Sequence, residues 1–336
     1  MKGLRAVLLG AMAHALITLA PTAQAAQVPI HFADLNWESG SLITEMLRLV
    51  LENGFDQPTD TLPGTTITLE AALARNDIQV IAEEWAGRSP VWNQAQAQGK
   101  VAALGDTVKG ATEGWWVPEY VIKGDTARGI TPKAPDLRSV NDLKKSASVF
   151  RDPEAPSMGR FLNSPAGWTS EVVNGQKLKA YGLAGSFTNF RTGSGAALDA
   201  EINSAIRRGQ PVLFYYWSPT PLIGKYKLVQ LEEPAFDEQA WETLTDANEP
   251  HPRASRSPPS RLSIGVSAAF EQQHPDIATF FSKVDIPLQP LNEALAQMSD
   301  RHEAPRAVAQ RLLKANPQWL QGWLPAPVAA KVSASL

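Results

Sequence analysis

The sequence predicts an α/β fold with two domains of similar size. Segments with the alternating or continuously apolar character of strands are followed by segments with helical spacing, which is typical of mostly parallel sheets covered by helices. The chain has 336 residues, and about 310 of them follow a predicted leader, enough for two domains of about 150 residues each. Hydrophobic residues make up 43% of the sequence, which is sufficient for a core in each domain.

The first residues have the three-part organisation of a secretory signal peptide. Lys2 and Arg5 precede an apolar run over 6–20, and Ala23-x-Ala25 follows as a small-residue cleavage signal. The apolar run is too short to span a bilayer, which takes about 20 residues. We therefore expect residues 1–25 to be a signal peptide cleaved near Ala25. The sequence has no cysteine that could carry a lipid anchor, so a free periplasmic protein is expected.

The first half of the mature chain begins with alternating strands and helices. The predicted elements are a strand over 28–32, helices over 39–53 and 69–75, and a strand over 77–82. Ser39 or Ser41 is a suitable cap for the first helix. In parallel sheets, ligands bind beyond the carboxyl ends of the strands. Trp37 and Trp85 each follow a predicted strand, so both are expected at that edge.

The rest of the chain shows the same alternation with more loops. The predicted elements are an aromatic run over 115–122, a strand over 148–150, a helix over 198–207, strands over 211–217 and 227–231, and helices around 277–281, 291–298 and 307–313. Pro118 lies inside the aromatic run, which predicts an edge strand or a segment that crosses between domains. The basic, proline-rich stretch over 251–261 is predicted to be a solvated surface loop.

The composition argues against several classes of protein. The formal net charge is −3 and the pI is near 6.0, whereas nucleic-acid binding needs a basic face. No two histidines have the spacing of metal ligands, and no phosphate-binding loop or serine-nucleophile motif follows a strand. Adjacent acidic residues such as Glu83 and Glu84 should point to opposite faces of a strand and not act on one bond. The sequence therefore predicts a non-enzymatic protein without metal, cofactor or nucleic-acid partner.

Tryptophan is unusually frequent, with ten residues beside five tyrosines and eleven phenylalanines. Four of them follow strands or lie in Gly/Pro loops, namely Trp37, Trp85, Trp168 and Trp217. A fifth and a sixth, Trp115 and Trp116, lie on the aromatic run. The others on helical or terminal segments are interpreted as core residues, namely Trp92, Trp241, Trp319 and Trp323. Indole faces attract cations, each by about 0.5–2 kcal/mol. A quaternary ammonium has no N–H group, so ring faces suit both its charge and its methyl groups.

Several segments resemble, in matching order, the glycine betaine/choline substrate-binding proteins of ABC importers. They are 77–85 (DIQVIAEEW), 114–121 (GWWVPEYV), 165–168 (PAGW), 181–183 (YGL), 214–219 (FYYWSP) and 228–234 (LVQLEEP). The resemblance implies the type II periplasmic-binding-protein fold, in which two lobes are joined by two crossing strands and the ligand lies in the cleft. It implies one lobe formed by 26–117 plus 219–336 and a second formed by 118–218.

The resemblance also implies how the protein acts. A small cationic or zwitterionic ligand would be held in a cage of aromatic rings, for which Trp37, Trp85, Trp168 and Trp217 are the matching positions. The expected partner is the membrane permease of an ABC importer, and a monomer suits such delivery. Choline, trimethylamine N-oxide and glycine betaine are the expected ligands.

Three positions around the rings depart from the family pattern or leave the ligand open. Choline-binding relatives have aspartate two residues after the first cage tryptophan, where this chain has Ser39. Some relatives have tyrosine where this chain has Glu113, whose carboxylate would disfavour glycine betaine and favour choline or trimethylamine N-oxide. Arg191 precedes a predicted helix and is suited to a ligand carboxylate. The alternatives are therefore an amino-acid ligand such as histidine or proline and, more distantly, a secreted enzyme with acidic catalytic residues.

Overall fold

The computed structural model describes residues 27–336, which form two α/β lobes, each built around a five-stranded sheet. The strands are β1 (Ile30–Asp34), β2 (Thr59–Pro63), β3 (Val80–Trp85), β4 (Val101–Val108), β5 (Thr112–Pro118), β6 (Gly159–Asn163), β7 (Phe187–Arg191), β8 (Leu213–Ser218), β9 (Leu228–Gln230) and β10 (Leu262–Ser267). The predicted signal peptide, residues 1–25, lies outside the described residues.

The helices cover both sheets. They are α1 (Glu38–Gly54), α2 (Thr66–Ala74), α3 (Pro90–Ala97), α4 (Glu119–Lys123), α5 (Leu143–Ser146), α6 (Thr169–Ala180), α7 (Gly195–Arg207), α8 (Pro221–Lys225), α9 (Glu238–Thr245), α10 (Ala268–Gln273), α11 (Pro275–Lys283), α12 (Leu288–Arg301), α13 (Pro305–Ala315), α14 (Pro317–Trp323) and α15 (Ala326–Ser335). Within residues 27–336, no helix combines the length and the apolar character needed to cross a bilayer.

The two sheets have equivalent strand arrangements. The first has the order β2-β1-β3-β10-β4, with β1 parallel to β2 and β3, and β10 antiparallel to β3 and β4. The second has the order β7-β6-β8-β5-β9, with β6 parallel to β7 and β8, and β5 antiparallel to β8 and β9. Each lobe thus has a parallel half, whose strands end toward one edge where a ligand can bind.

The predicted lobe boundaries need correction. β5 (Thr112–Pro118) pairs with β8, and β9 (Leu228–Gln230) pairs with β5, so both strands belong to the second sheet. The chain therefore enters the second lobe between Val108 and Thr112, before the predicted boundary after residue 117. The assignment of all of 219–336 to the first lobe is wrong for the same reason, because β9 lies in the second lobe and α9 packs against α6.

The proline-rich stretch is largely exposed, as predicted, but it is a connection between the lobes and not an insertion. It lies in the segment 246–261, which returns the chain from α9 to β10 and is the second connection between the lobes. Ser255 is fully buried, and its carbonyl accepts a hydrogen bond from the Tyr181 hydroxyl at 3.1 Å. The backbone N–H of Arg256 donates to the carbonyl of Pro234 at 3.1 Å. Proline here limits the freedom of a connecting segment whose backbone is tied down at several points.

Local predictions failed where the pairing of distant strands decides the structure. The run over 115–122 divides into β5 and α4, and β5 lies between two partners instead of at an edge. Pro118 is tolerated because it is the last residue of the strand. Residues 148–150 belong to a 3-10 turn (Ala147–Phe150) and not to a strand. The helix predicted from Ser39 begins at Glu38, with Trp37 as the preceding residue.

Most of the tryptophans assigned to packing are in the cores. Trp92 is fully buried in the first lobe beside β10, where a Cβ atom at Gly265 would lie 3.0 Å from its ring. Trp319 and Trp323 stack at 5.9 Å between ring centroids among the C-terminal helices. These helices cover α1 and β4.

Candidate ligand-binding site

A cavity lies between the two lobes, at the end of β3 in one lobe and at β8 and the start of α6 in the other. It surrounds about 760 Å³ of space not occupied by atoms, a volume that includes open solvent at its mouth. Apolar and aromatic side chains form most of the wall, and the carboxyl groups in it come from both lobes. The four tryptophans predicted from the sequence all line it; they are Trp37, Trp85, Trp168 and Trp217.

The first lobe contributes two rings that share one anchor. Trp37 precedes α1 and Trp85 ends β3. The indole N–H of Trp37 donates to Oε1 of Glu83 at 2.9 Å, and that of Trp85 donates to the same oxygen at 3.0 Å. One buried carboxyl thus satisfies the polar edge of both rings, so their apolar faces are available to the cavity.

The second lobe contributes Trp168, before α6, and Trp217, on β8. The ring centroids of Trp37 and Trp168 are 5.3 Å apart with planes at 69°. Those of Trp168 and Trp217 are also 5.3 Å apart, at 76°. Successive rings are nearly perpendicular, so they form adjoining walls of a box. The indole N–H of Trp168 donates to Oδ1 of Asn36 at 2.9 Å, which joins the two lobes across the cleft.

Glu83 and Glu84 both line the cavity although they are adjacent on β3. Ser263 of β10 pairs with Glu84, but Gly265 pairs with Ile81, so two residues of β10 span three of β3. The extra residue is a β-bulge, which interrupts the alternation of side chains. The prediction that the pair must point to opposite faces is therefore wrong.

Burial raises the pKa of Glu83 from 4.5 to about 7, although the hydrogen bonds from the indoles of Trp37 and Trp85 oppose the rise. The folded chain binds this proton more tightly than the unfolded chain does. This proton contributes to the free energy of unfolding, and its contribution is complete below pH 4.5. As the pH rises through 7, the free energy of unfolding falls by about 3 kcal/mol from this source. We expect Glu83→Gln, which keeps an oxygen acceptor for the indoles, to lack this dependence.

Urea unfolding of both proteins at pH 5, 6, 7 and 8 measures this difference. The stability of the original chain should fall relative to that of Glu83→Gln across the series. The exposed substitution Glu201→Gln serves as the control and should follow the original chain. Parallel stability curves for the original chain and Glu83→Gln would contradict the assignment.

Glu113 lies at the cavity in an ion pair. Its Oε1 is 3.0 Å from Nη1 of Arg88, and its Oε2 accepts a hydrogen bond from the Tyr215 hydroxyl at 2.7 Å. Burial opposes ionisation, but the charges of Arg88 and Lys177 and the hydroxyl groups of Tyr215 and Ser257 hold the pKa of Glu113 below its ordinary value. Glu113 is therefore a charged group already neutralised by a cation of the protein.

A second acidic pair lies in the same wall. Glu70 on α2 and Glu84 on β3 are each 2% exposed. Ser89 donates a hydrogen bond to Glu70. Burial raises the pKa of Glu70 to about 7, and burial together with the charge of Glu70 raises that of Glu84 well above its ordinary value. The wall thus carries carboxyl groups that resist simultaneous ionisation.

Residues 28–315 match the family described as the substrate binding domain of the ABC-type glycine betaine transport system. The chain belongs to this family. It is 25% identical over 268 residues to the glycine betaine/proline betaine-binding periplasmic protein of Escherichia coli, which covers 77% of this chain and 78% of that relative. It is 23% identical over 269 residues to the glycine betaine-binding periplasmic protein OusX of Dickeya dadantii, with 77% of each chain covered.

Solved structures show the same fold. A glycine betaine and L-proline-binding protein of an ABC transporter from Borrelia burgdorferi has a TM-score of 0.71 at 17% identity, covering 91% of this chain and 100% of that chain. An ABC-transporter choline-binding protein in complex with choline has a TM-score of 0.70 at 18% identity, covering 91% and 97%. The predicted family and two-lobed fold are confirmed, and the chain is the substrate-binding component of an ABC importer of this type.

Three predicted site residues of this substrate-binding protein do not line the cavity. Trp115 is fully buried in the second lobe and stacks on Phe161 at 4.1 Å between ring centroids. Arg191 pairs with Glu171 at 2.5 Å, and its side chain is 54% exposed. Ser39 is buried behind the wall, on the first turn of α1.

The structure adds wall residues that the sequence did not indicate. Trp241 on α9 was interpreted as a core residue, yet it lines the cavity, with the Arg88 guanidinium 5.7 Å from its ring centroid. Arg88 is also 5.9 Å from the ring centroid of Trp85. Ser257 reaches the wall from the segment 246–261. Within residues 27–336, no group of three or more histidine, aspartate or glutamate side chains is arranged to hold a metal ion.

Proposed function

We propose that the chain is exported to the periplasm and captures a small methylated-ammonium solute, such as choline, trimethylamine N-oxide or glycine betaine. It acts as a monomer, performs no covalent chemistry and delivers the solute to the membrane permease of its importer. The observation that supports this most directly is the convergence of four indole rings from both lobes on one cavity. The names of the relatives, which bind glycine betaine or choline, point in the same direction.

The energetics suit such a solute. Each desolvated ring attracts a cation by about 0.5–2 kcal/mol, and burial of the methyl groups adds about 25 cal/mol per Å². A micromolar dissociation constant needs about 8 kcal/mol. Four rings with methyl burial reach this range before any polar contact is counted.

The amino-acid alternative loses support. It assigned the ligand ammonium to Glu113 and the ligand carboxylate to Arg191. Glu113 is paired with Arg88, and Arg191 is largely exposed in a pair with Glu171. The two groups are therefore not arranged as free partners for an α-amino acid.

The test is titration calorimetry of the purified mature chain with choline, trimethylamine N-oxide, glycine betaine, histidine and proline. We expect micromolar or tighter binding of at least one methylated-ammonium compound, and binding of histidine and proline at least a hundredfold weaker. Tight binding of an amino acid, without binding of any methylated-ammonium compound, would overturn the proposal. Analysis of the recovered ligand would detect turnover and so an enzyme.

A further inference from the structure

Glu70 and Glu84 form an acidic part of the wall that has no cationic partner among residues 27–336. Both residues line the cavity and are 2% exposed. Glu70 accepts from Ser89, whereas Glu84 has no hydrogen-bond or ion-pair partner among residues 27–336. A buried polar group without a partner costs free energy unless a ligand satisfies it.

The charges that face this pair do not neutralise it. Glu83 lies beside Glu84 on β3, and Glu113 faces the cavity from β5. Arg88 is the cation of the wall within the described residues, and it is paired with Glu113 at 3.0 Å. The other elements packed against β3, which are α1, β1 and β10, contribute no charged side chain to the wall, and the wall residues of α6 are uncharged. The cavity is therefore acidic as a whole.

We propose that Glu70 and Glu84 together carry one proton when no ligand is bound and receive the polar end of the ligand, so that they select a methylated ammonium that carries a hydroxyl or N–H donor over one that carries a carboxylate. This inference rests on the proposed function and specifies its ligand class. The rings hold the methylated end, and the acidic pair holds the other end.

The chemistry follows from the ligand's charge. A cation in the cavity stabilises the ionised form of both carboxyl groups. The proton that Glu70 and Glu84 carry therefore leaves to the solvent when the cation binds. The ligand hydroxyl or N–H then donates to a carboxylate, and such charge-assisted hydrogen bonds are about twice as strong as neutral ones. A ligand carboxylate would instead face two carboxyl groups that must keep their proton or gain another.

Because ligand binding is linked to proton release or uptake, the affinities for two classes of ligand should depend on pH in different ways. Binding of choline releases a proton, so its affinity rises with pH. Binding of glycine betaine retains or takes up a proton, so its affinity is constant or falls as the pH rises. The raised pKa values of Glu70, about 7, and of Glu84 support a proton that is still bound near neutral pH.

The experiment is calorimetry at pH 7.5 in phosphate and in Tris, whose ionisation enthalpies differ, so that the difference in heat counts the protons exchanged. Choline, tetramethylammonium and glycine betaine are the probes. We expect choline to release close to one proton and to bind at least tenfold more tightly than tetramethylammonium, which has no donor. Glycine betaine should bind at least tenfold more weakly than choline and release none.

Substitutions assign the effect to the pair. Glu84→Gln should lower the affinity for choline at least tenfold and abolish proton release, while the affinity for glycine betaine stays within threefold. Glu70→Gln should have the same effects on affinity and on proton release. It provides the test if Glu84→Gln does not fold. The exposed control Glu201→Gln should match the original chain in affinity and in proton release.

The outcomes separate the inference from the proposed function. Glycine betaine binding more tightly than choline, or choline binding without proton release, would overturn the inference and leave the proposed function intact. Proton release that is kept in both Glu84→Gln and Glu70→Gln would also overturn it. If none of the three probes nor trimethylamine N-oxide binds, the proposed function itself fails.

Discussion

Replacement of Trp168 by alanine is expected to weaken the binding of choline about a hundredfold. Trp168 is the middle ring of the box, 5.3 Å from the rings of both Trp37 and Trp217. On the proposed function, its loss would remove a cation–π contact and methyl contacts with the ligand, and it removes the hydrogen bond to Asn36 that joins the lobes. Truncation of a central buried tryptophan typically costs about 2–4 kcal/mol of binding free energy. Calorimetry at constant pH measures the change.

Trp116→Ala provides the matched control. Its indole belongs to the same lobe and donates to the carbonyl of Tyr216 at 3.1 Å, but it does not line the cavity. We expect Trp116→Ala to bind choline within twofold of the original chain, whatever its effect on thermal stability. An affinity of Trp168→Ala within threefold of the original value would show that the box does not hold the ligand.

Replacement of Lys177 by methionine is expected to destabilise the fold by about 3–5 kcal/mol, because a buried carboxylate is left without its cation. Nζ of Lys177 lies 2.7 Å from Oε1 of Glu233, and these side chains are 2% and 4% exposed. The Tyr181 hydroxyl donates to the same oxygen at 2.8 Å. Urea unfolding at pH 7.5 measures the free energy of unfolding.

The double substitution Lys177→Met, Glu233→Gln tests the cause. It removes both charges and leaves an amide oxygen for the Tyr181 hydroxyl, so at least half of the lost stability should return. If the double variant is no more stable than Lys177→Met, the loss comes from packing around the lysine stem and not from an unpaired charge.

The parts of the site that follow strand ends were predictable from the sequence. Trp37 and Trp85 follow the predicted first and second core strands, and Trp217 ends a buried strand. The rule that ligands bind beyond the carboxyl ends of parallel strands needs only local patterns. Such patterns are clear where a short apolar run is followed by a turn. The three tryptophans predicted in this way all line the cavity.

The acidic side of the wall was not predictable in the same way. Glu84 reaches the cavity because of a bulge that depends on pairing with β10, about 180 residues later in the chain. Arg88 and Glu113 form their ion pair across separate elements. Trp241 lies on a helix with an ordinary amphipathic pattern, and its position depends on the packing of α9 against α6. No local signal encodes these contacts.

The predicted lobe boundaries were wrong for a related reason. Pro118 and the aromatic run before it indicated a crossing strand, whereas β5 is an inner strand of the second sheet. The segment 251–261 has the composition of a solvated loop, yet it returns the chain to the first lobe and brings Ser257 to the cavity. The composition of a segment indicates whether it is exposed to solvent. It does not indicate whether the segment connects two lobes.

The hydrogen bond between Trp168 and Asn36 has a consequence for release of the ligand. Two rings of the box belong to each lobe, and this bond is one of the contacts that keep them facing each other. Separation of the lobes by a few ångströms would divide the cage into two half-sites, so that a cation in either half would face two rings instead of four. If the chain delivers its solute as proposed, a membrane partner that separates the lobes would release the solute without competing for the rings that hold it.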